Sequence, residues 1–175
     1  MIRPHPPTLE DIPISNKNPS FTDLLRSPTL LLAFGFGSGL APKAPGTFGT
    51  VAAIPLWLLL CQLPLSLYWA LVVFSAIAGI YICGRASSKL GVHDHSGIVW
   101  DEFVGLWIAL AFIEPQLTSI IVGFLLFRFF DIVKPWPISW LDKQVGAGIG
   151  IMIDDVVAGF FAAIVIVVIS NLGFL

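Results

Sequence analysis

Charge is missing from every second connection between the apolar stretches of this chain, and that alternation restricts it to a helical membrane architecture. The apolar stretches run over residues 48–63, 67–83, 103–113, 117–130 and 156–169. The connections 62–66 and 114–119 and the tail 171–175 hold no basic residue and a single acid, Glu114. All nine Lys and Arg residues and ten of the eleven acids fall instead in the N-terminal segment, in 84–102 or in 128–155. Cytoplasmic loops carry the Lys/Arg excess, so that side is predicted to be the cytoplasm. The expected fold is all-α: a polytopic membrane protein of about five short transmembrane helices, with a Gly-rich interfacial loop and polar cytoplasmic-side loops.

Composition agrees. The 175 residues are one domain's worth, and 57% hydrophobic with 11% charged is far from the quarter or so charged of a soluble domain. The apolar runs are 11 to 17 residues long, whereas about 20 span a bilayer comfortably. Each helix is therefore expected to borrow polar residues at its cytoplasmic end, which places carboxylates at the membrane surface. Cys61 and Cys83 fall near opposite ends of consecutive spans, a placement unsuited to a disulfide, and read as buried apolar residues. No basic tail suggests a nucleic-acid partner. No basic segment, short apolar run and cleavage site open the chain, so the first span is expected to serve as an uncleaved anchor.

Residues 1–28 are polar and rich in proline, an expected extended or partly disordered arm with a short amphipathic piece at 21–25. Residues 29–175 form the expected single membrane-embedded catalytic domain. The run GFGSGLAPKAPGTFG at 35–49 has five glycines and two prolines, which argues against regular helix and for a loop dipping into the interface. Polar segments at 85–102 and 128–155 then alternate with pairs of apolar stretches.

Acids gather at the predicted helix boundaries. Asp101 and Glu102 open the third span, Asp131 closes the fourth, and Asp154 and Asp155 open the fifth. A carboxylate at the bilayer centre costs about 2.5–3.5 kcal/mol on insertion scales, so such a set calls for a compensating partner or interfacial water. Mg²⁺ is one: it takes one or two carboxylates, waters and substrate phosphate oxygens in an octahedron. The helix macrodipole would account for Asp101, Glu102 and Asp154 without a metal. It does not account for Asp131 at a helix C-terminus, although pairing with Arg128 at i,i+3 would.

Three cations complete a phosphate-site pattern. Lys43 lies in the glycine-rich loop, whose backbone N–H groups suit an anion, and Arg128 and Lys134 flank Asp131. Lys134 is equally placed to snorkel at an interface. His93 and His95 surround Asp94 and are candidates for a metal ligand or a general acid. Trp100, Trp107, Trp136 and Trp140 read as interfacial anchors. A nucleotide P-loop, a cysteine-based phosphatase motif, an Asp-x-Asp-x-Thr nucleophile and an Asp-Gly-x-x-Ala-Arg phosphotransferase run are all missing. An ion-coupled transporter or channel subunit would use the same acids as a cation pathway, but would place them near the middle of its spans.

The blocks GFGSGLAPKAPGTFGTVAAIP at 35–55, GVHDHSGIVWDEFVGLWI at 91–108, FRFFDIVKPWPISWLD at 127–142 and GAGIGIMIDDVVAG at 146–159 closely resemble the bacterial phosphatidylglycerophosphatase A family. The resemblance covers about residues 29–170 and leaves out the arm. It implies a Mg²⁺-dependent hydrolase of the bacterial inner membrane, with phosphatidylglycerophosphate as lipid substrate and phosphatidylglycerol and phosphate as products. On that expectation Asp101, Glu102, Asp131, Asp154 and Asp155 hold Mg²⁺. Asp101, Asp131 and Asp155 supply the nucleophile or base, Lys43, Arg128 and Lys134 bind phosphate oxygens, and His93 or His95 protonates the leaving oxygen. Oligomeric state is left open by the sequence.

Overall fold

The structure, a computed structural model, describes residues 18–92, 95–140 and 147–173. Among these residues it is helical throughout, with no strand. Two short helices, α1 (Phe21–Arg26) and α2 (Pro28–Ala33), lead through a 3₁₀ turn at Gly35–Leu40 into α3 (Pro45–Leu60). The chain continues through α4 (Leu65–Leu90), α5 (Trp100–Ala109), α6 (Leu117–Val133) and α7, which spans Ala147–Asn171.

Local chemistry explains the boundaries. Ser20 and Asp23 form a capping box on α1. Hydrogen bonds from the Ser20 hydroxyl and N–H hold the exposed Asp23 carboxyl below its ordinary pKa. Leu24 of α1 is fully buried in the common core. Pro28 and Pro45 sit in the first turns of α2 and α3, where the missing N–H costs nothing. The glycine-rich segment is therefore only partly a loop. Its first half contains non-helical backbone at Phe36 and Gly37, but from Pro45 onward it is already α3. Gly91 ends α4 in the left-handed conformation.

The core is organised around α5, every residue of which is buried. It packs against α3, α4, α6 and α7. The closest approach is to α7: a Cβ on Gly159 would lie 2.4 Å from the Gly105 carbonyl oxygen, and one on Gly105 would lie 2.8 Å from the Asp155 carbonyl oxygen. Small residues let helix backbones approach in this way where lipid provides no hydrophobic drive between helices. Polar ties fix the other sides. The Tyr68 hydroxyl donates to the Trp107 carbonyl, Trp107 Nε1 donates to Ala53 O at 3.1 Å, and Trp100 Nε1 donates to Ser75 O at 3.2 Å.

These contacts correct several expectations. Trp100 and Trp107 are core residues, 8% and 4% exposed, and not interfacial anchors; Trp136 and Trp140 are the exposed pair. The third expected span is a ten-residue helix, about 15 Å long, half the hydrocarbon thickness. Two helices, α4 and the Gly148–Asn171 part of α7, are long and apolar enough to cross a membrane by themselves. Both cysteines are unbridged, as expected, although only Cys83 is buried and Cys61 is half-buried.

Apolar side chains also face outward in helical register, with Leu117, Ile121, Leu125, Phe129 and Ile132 on α6 and Phe160, Ile164 and Val168 on α7 all exposed. Stripes of this extent are rare on a soluble monomer. Because the α5–α7 contact has no room for a methyl group, Gly159→Val is expected to lower stability in detergent by roughly 1–3 kcal/mol or more. Thermal unfolding against the native chain measures this.

Candidate active site

Four helix ends meet at one cavity of about 440 Å³. α3 contributes Pro45 and Gly46 at its N-terminus, α5 contributes Asp101 and Glu102, α6 contributes Arg128, Asp131 and Ile132, and α7 contributes Gly150, Ile151, Asp154 and Asp155; Lys134, just past α6, also lines it. The five acids singled out in the sequence are thus brought together. They are not equivalent. Asp101, Glu102 and Asp155 each present a carboxylate oxygen, all within 4.8 Å of one another. Asp131 is paired with Arg128 (Oδ2 to Nη1, 2.5 Å), and Asp154 with Lys134 (Oδ2 to Nζ, 2.5 Å). The same Arg128 nitrogen lies 3.9 Å from Glu102 Oε1.

The expectation that Asp154 and Asp155 open the fifth helix is corrected, because α7 begins at Ala147 and has no acid in its first turn. The macrodipole therefore does not explain these two carboxylates. Asp101 and Glu102 do lie in the first turn of α5, yet they are buried, and Asp101 Oδ1 and Glu102 Oε2 have no hydrogen-bond partner among the described residues. Buried unpaired carboxylate oxygens are costly unless something positive meets them. Three adjacent oxygen donors, hard and anionic, fit a divalent cation of the Mg²⁺ type. The residues that would hold it are Asp101, Glu102 and Asp155.

Lys134 adopts a left-handed conformation at the end of α6 (φ 44°). A non-glycine residue there stores strain of order 1–3 kcal/mol, and at this turn the Lys134 ammonium reaches Asp154. Arg128 and Lys134 are thus bound to acids of the site, which limits the cavity's negative charge. Lys43 is exposed on the loop before α3 and does not line the cavity, although its neighbours Ala44, Pro45 and Gly46 do. His93 lies outside the described residues. His95 lines an adjoining cavity and not the acidic one.

Two contributors were missed by the sequence reading. Gly46 leaves space for Glu102 and Arg128: a Cβ there would be 2.3 Å from Glu102 Oε1 and 3.2 Å from Arg128 Nη1. Its signal was the Pro-Gly pair at 45–46, read as loop punctuation. Ser96 lines the rim, and nothing in its local sequence distinguishes it from other loop serines. The N-terminus of α3 also opens on the cavity, supplying the positive end of a helix dipole, where phosphate groups commonly bind.

An all-helical protein with outward apolar stripes and a cation-ready acidic cavity at one end of its bundle is the class this arrangement defines. Residues 31–170 match phosphatidylglycerophosphatase A, and the chain belongs to that family. It is 49% identical over 140 residues to phosphatidylglycerophosphatase A of Escherichia coli (strain K12), covering 79% of this chain and 81% of that protein. It is 46% identical over 156 residues to the protein of the same name from Haemophilus influenzae, covering 87% and 95%. A putative phosphatidylinositol-3-phosphatase of Bacteroides thetaiotaomicron is 41% identical over 160 residues, covering 87% and 96%. No solved structure matches the chain significantly.

The carboxylate geometry generates a binding test. Asp101→Asn and Asp155→Asn are each expected to weaken divalent-cation affinity at least about tenfold, the scale of change seen when a metal site is perturbed. Calorimetric titration with Mg²⁺, or Mn²⁺ spin resonance, reads this without any substrate.

Proposed function

We propose that this chain is a Mg²⁺-dependent lipid phosphatase that hydrolyses the terminal phosphomonoester of phosphatidylglycerophosphate, giving phosphatidylglycerol and phosphate, at the cytoplasmic face of a bacterial inner membrane. The observation that carries the reading is the trio Asp101, Glu102 and Asp155, with adjacent oxygens in a cavity also lined by Arg128 and Lys134. Family membership supports the substrate. Two relatives are named for phosphatidylglycerophosphate and one for a phosphoinositide, and both name a phosphomonoester on a lipid headgroup.

When bound, Mg²⁺ neutralises phosphate charge and helps position the attacking and leaving oxygens. The remaining work belongs to side chains. Arg128 binds non-bridging oxygens, supported by the first-turn N–H groups of α3. A carboxylate among Asp101, Asp131 and Asp155 takes the proton of an attacking water or attacks phosphorus itself. Lys134 holds Asp154 and borders the phosphate, and the exposed Lys43 attracts the anionic headgroup towards the cavity mouth. Gly46 keeps clear the space that Glu102 and Arg128 occupy.

Acyl chains hold the substrate in the leaflet, at about 0.8 kcal/mol per buried CH₂, so catalytic groups at helix ends meet the headgroup where it lies. In this reading α3, α4, α6 and α7 cross the bilayer, and α5 together with residues 110–116 carries the chain across once more. A transporter would distribute its acids along a pathway, whereas these acids converge on one cavity.

Phosphate release from phosphatidylglycerophosphate in micelles is expected to require Mg²⁺, to stop with chelator, and to fall at least about a hundredfold in folded Asp101→Asn and Asp155→Asn. A native protein inactive with every divalent metal refutes the proposal. Orientation has a separate test in a chain whose own cysteines are replaced by serine. A membrane-impermeant thiol reagent added to spheroplasts is expected to label Gln62→Cys and to spare Ser139→Cys; the reverse pattern places the site on the outer face.

A further inference from the structure

The acidic cavity has an apolar edge. Of the described residues that line it, Ala44, Ser96 and Ile132 are exposed, and Ile132, at 68%, is the one among these with a large apolar side chain. Ile98 and Ile151, which also line the cavity, are buried. Ile132 belongs to the outward stripe of α6 as well: Ile121, Leu125, Phe129 and Ile132 follow at intervals of four, four and three residues, and all are exposed. Such spacing keeps them on one helix face, so this face leads from the flank of α6 into the cavity wall. The other exposed stripes do not. Val73, Phe74, Ile77 and Tyr81 belong to α4, which contributes no described residue to the cavity. Phe160, Ile164 and Val168 of α7 border a separate hollow with Phe112. On α3 the lining residues are Pro45 and Gly46, and the exposed Phe48 and Val51 are not among them.

We propose that this face of α6 seats an acyl chain of the lipid substrate, and that the headgroup enters the cavity sideways from the leaflet, past Ile132. The inference rests on the phosphatase reading above and adds the direction from which the substrate arrives and the place where its tail lies. Depth agrees with that occupant. Trp136, four residues past Ile132 and exposed, is a side chain suited to the headgroup level. From Ile132 back to Ile121 the helix covers about 16 Å, close to half of a hydrocarbon core of about 30 Å, which is the depth of one leaflet. A lipid whose phosphate is held beside Arg128 and the carboxylates keeps its chains in hydrocarbon. Its tail must therefore leave the cavity where the wall is apolar, because each CH₂ drawn past polar groups and water is costly. Ala44 and Ser96 leave other exposed parts of the lining for water and released phosphate. Phe129 and Leu125 are positioning residues, in contact with the tail and not with the reacting atoms. They add little affinity over bulk lipid, whose chains are as apolar as leucine; they aim the headgroup.

A cross-linking experiment tests the seat directly. A non-hydrolysable phosphonate analogue of phosphatidylglycerophosphate, with a diazirine midway along one acyl chain, is bound to the native protein in micelles with Mg²⁺ and photolysed. Phosphatidylcholine with the same labelled chain reports bulk lipid. Cross-links from the phosphonate are expected to concentrate on residues 121–132 and to be lost with excess unlabelled phosphonate. The same pattern from both lipids makes the face an ordinary lipid contact and overturns the proposal; a face labelled by neither lipid, as when a second copy of the chain covers it, overturns it too. Kinetics supply the functional arm. Phe129→Gln places an amide one turn from Ile132 that an arriving acyl chain must strip of water. In this variant kcat/KM for dioleoyl phosphatidylglycerophosphate, relative to that for the deacylated headgroup glycerophosphoglycerophosphate, is expected to fall about tenfold, the scale of one amide desolvated without a partner. Phe74→Gln, the same exchange on the outward face of α4, is expected to leave the ratio unchanged. A fall in Phe74→Gln, or none in Phe129→Gln, overturns the inference and leaves the phosphatase reading standing. Native protein that releases phosphate from neither compound removes both.

Discussion

The contact on which the rest depends is the approach of α5 to α7 at Gly105 and Gly159, where backbone meets backbone with no side chain between. It sets the distance between Asp101 and Glu102 on one helix and Asp155 on the other. A Cβ on either glycine would force the two helices apart and move the carboxylates of α5 away from that of Asp155. The indole and phenol hydrogen bonds of Trp100, Trp107 and Tyr68 then fix α5 against α3 and α4, where no other solvent competes for those groups.

Charge is distributed in the cavity by selective pairing. Arg128 answers Asp131, and Lys134 answers Asp154. The trio of Asp101, Glu102 and Asp155 keeps its oxygens turned to one another, an arrangement that is unfavourable without a cation. The paired cations offset part of the cavity's negative charge, and the trio, of which Glu102 also has Arg128 3.9 Å away, forms a group that could hold a metal ion. Removing Arg128 and Lys134 would leave Asp131 and Asp154 without the cations that now pair with them, and removing the trio would remove the group of oxygens that could hold a metal ion.

Much of this was legible in the sequence. The alternating distribution of charge gave an all-helical fold with the acids on one side, and five acids near helix ends gave the members of the cavity. The i,i+3 spacing of Arg128 and Asp131 anticipated their ion pair. Hydropathy did not distinguish lipid from protein as the neighbour of an apolar face, since acyl chains and leucine side chains are alike in polarity. For that reason Trp100 and Trp107 read as anchors when they are buried core residues of α5. The start of α7 was misplaced because Gly148 and Gly150 look like loop residues, whereas Gly148 lies where a Cβ would be 2.0 Å from the Ile80 carbonyl oxygen of α4. The separation of His95 from the acids depends on the contact between Gly39 and Gly97, which local sequence does not encode.

The shortness of α5 has a consequence for how the protein is made. A ten-residue helix with two acids in its first turn is a poor substrate for insertion by the translocation machinery, which selects segments of about 20 apolar residues. In the fold it is enclosed by α3 and α4, which precede it in the chain, and by α6 and α7, which follow. The carboxylates of α5 therefore meet Asp155 only when the last helix docks. Until α7 docks, Asp101 and Glu102 lack Asp155, so the three-carboxylate group is assembled only from helices far apart in the sequence.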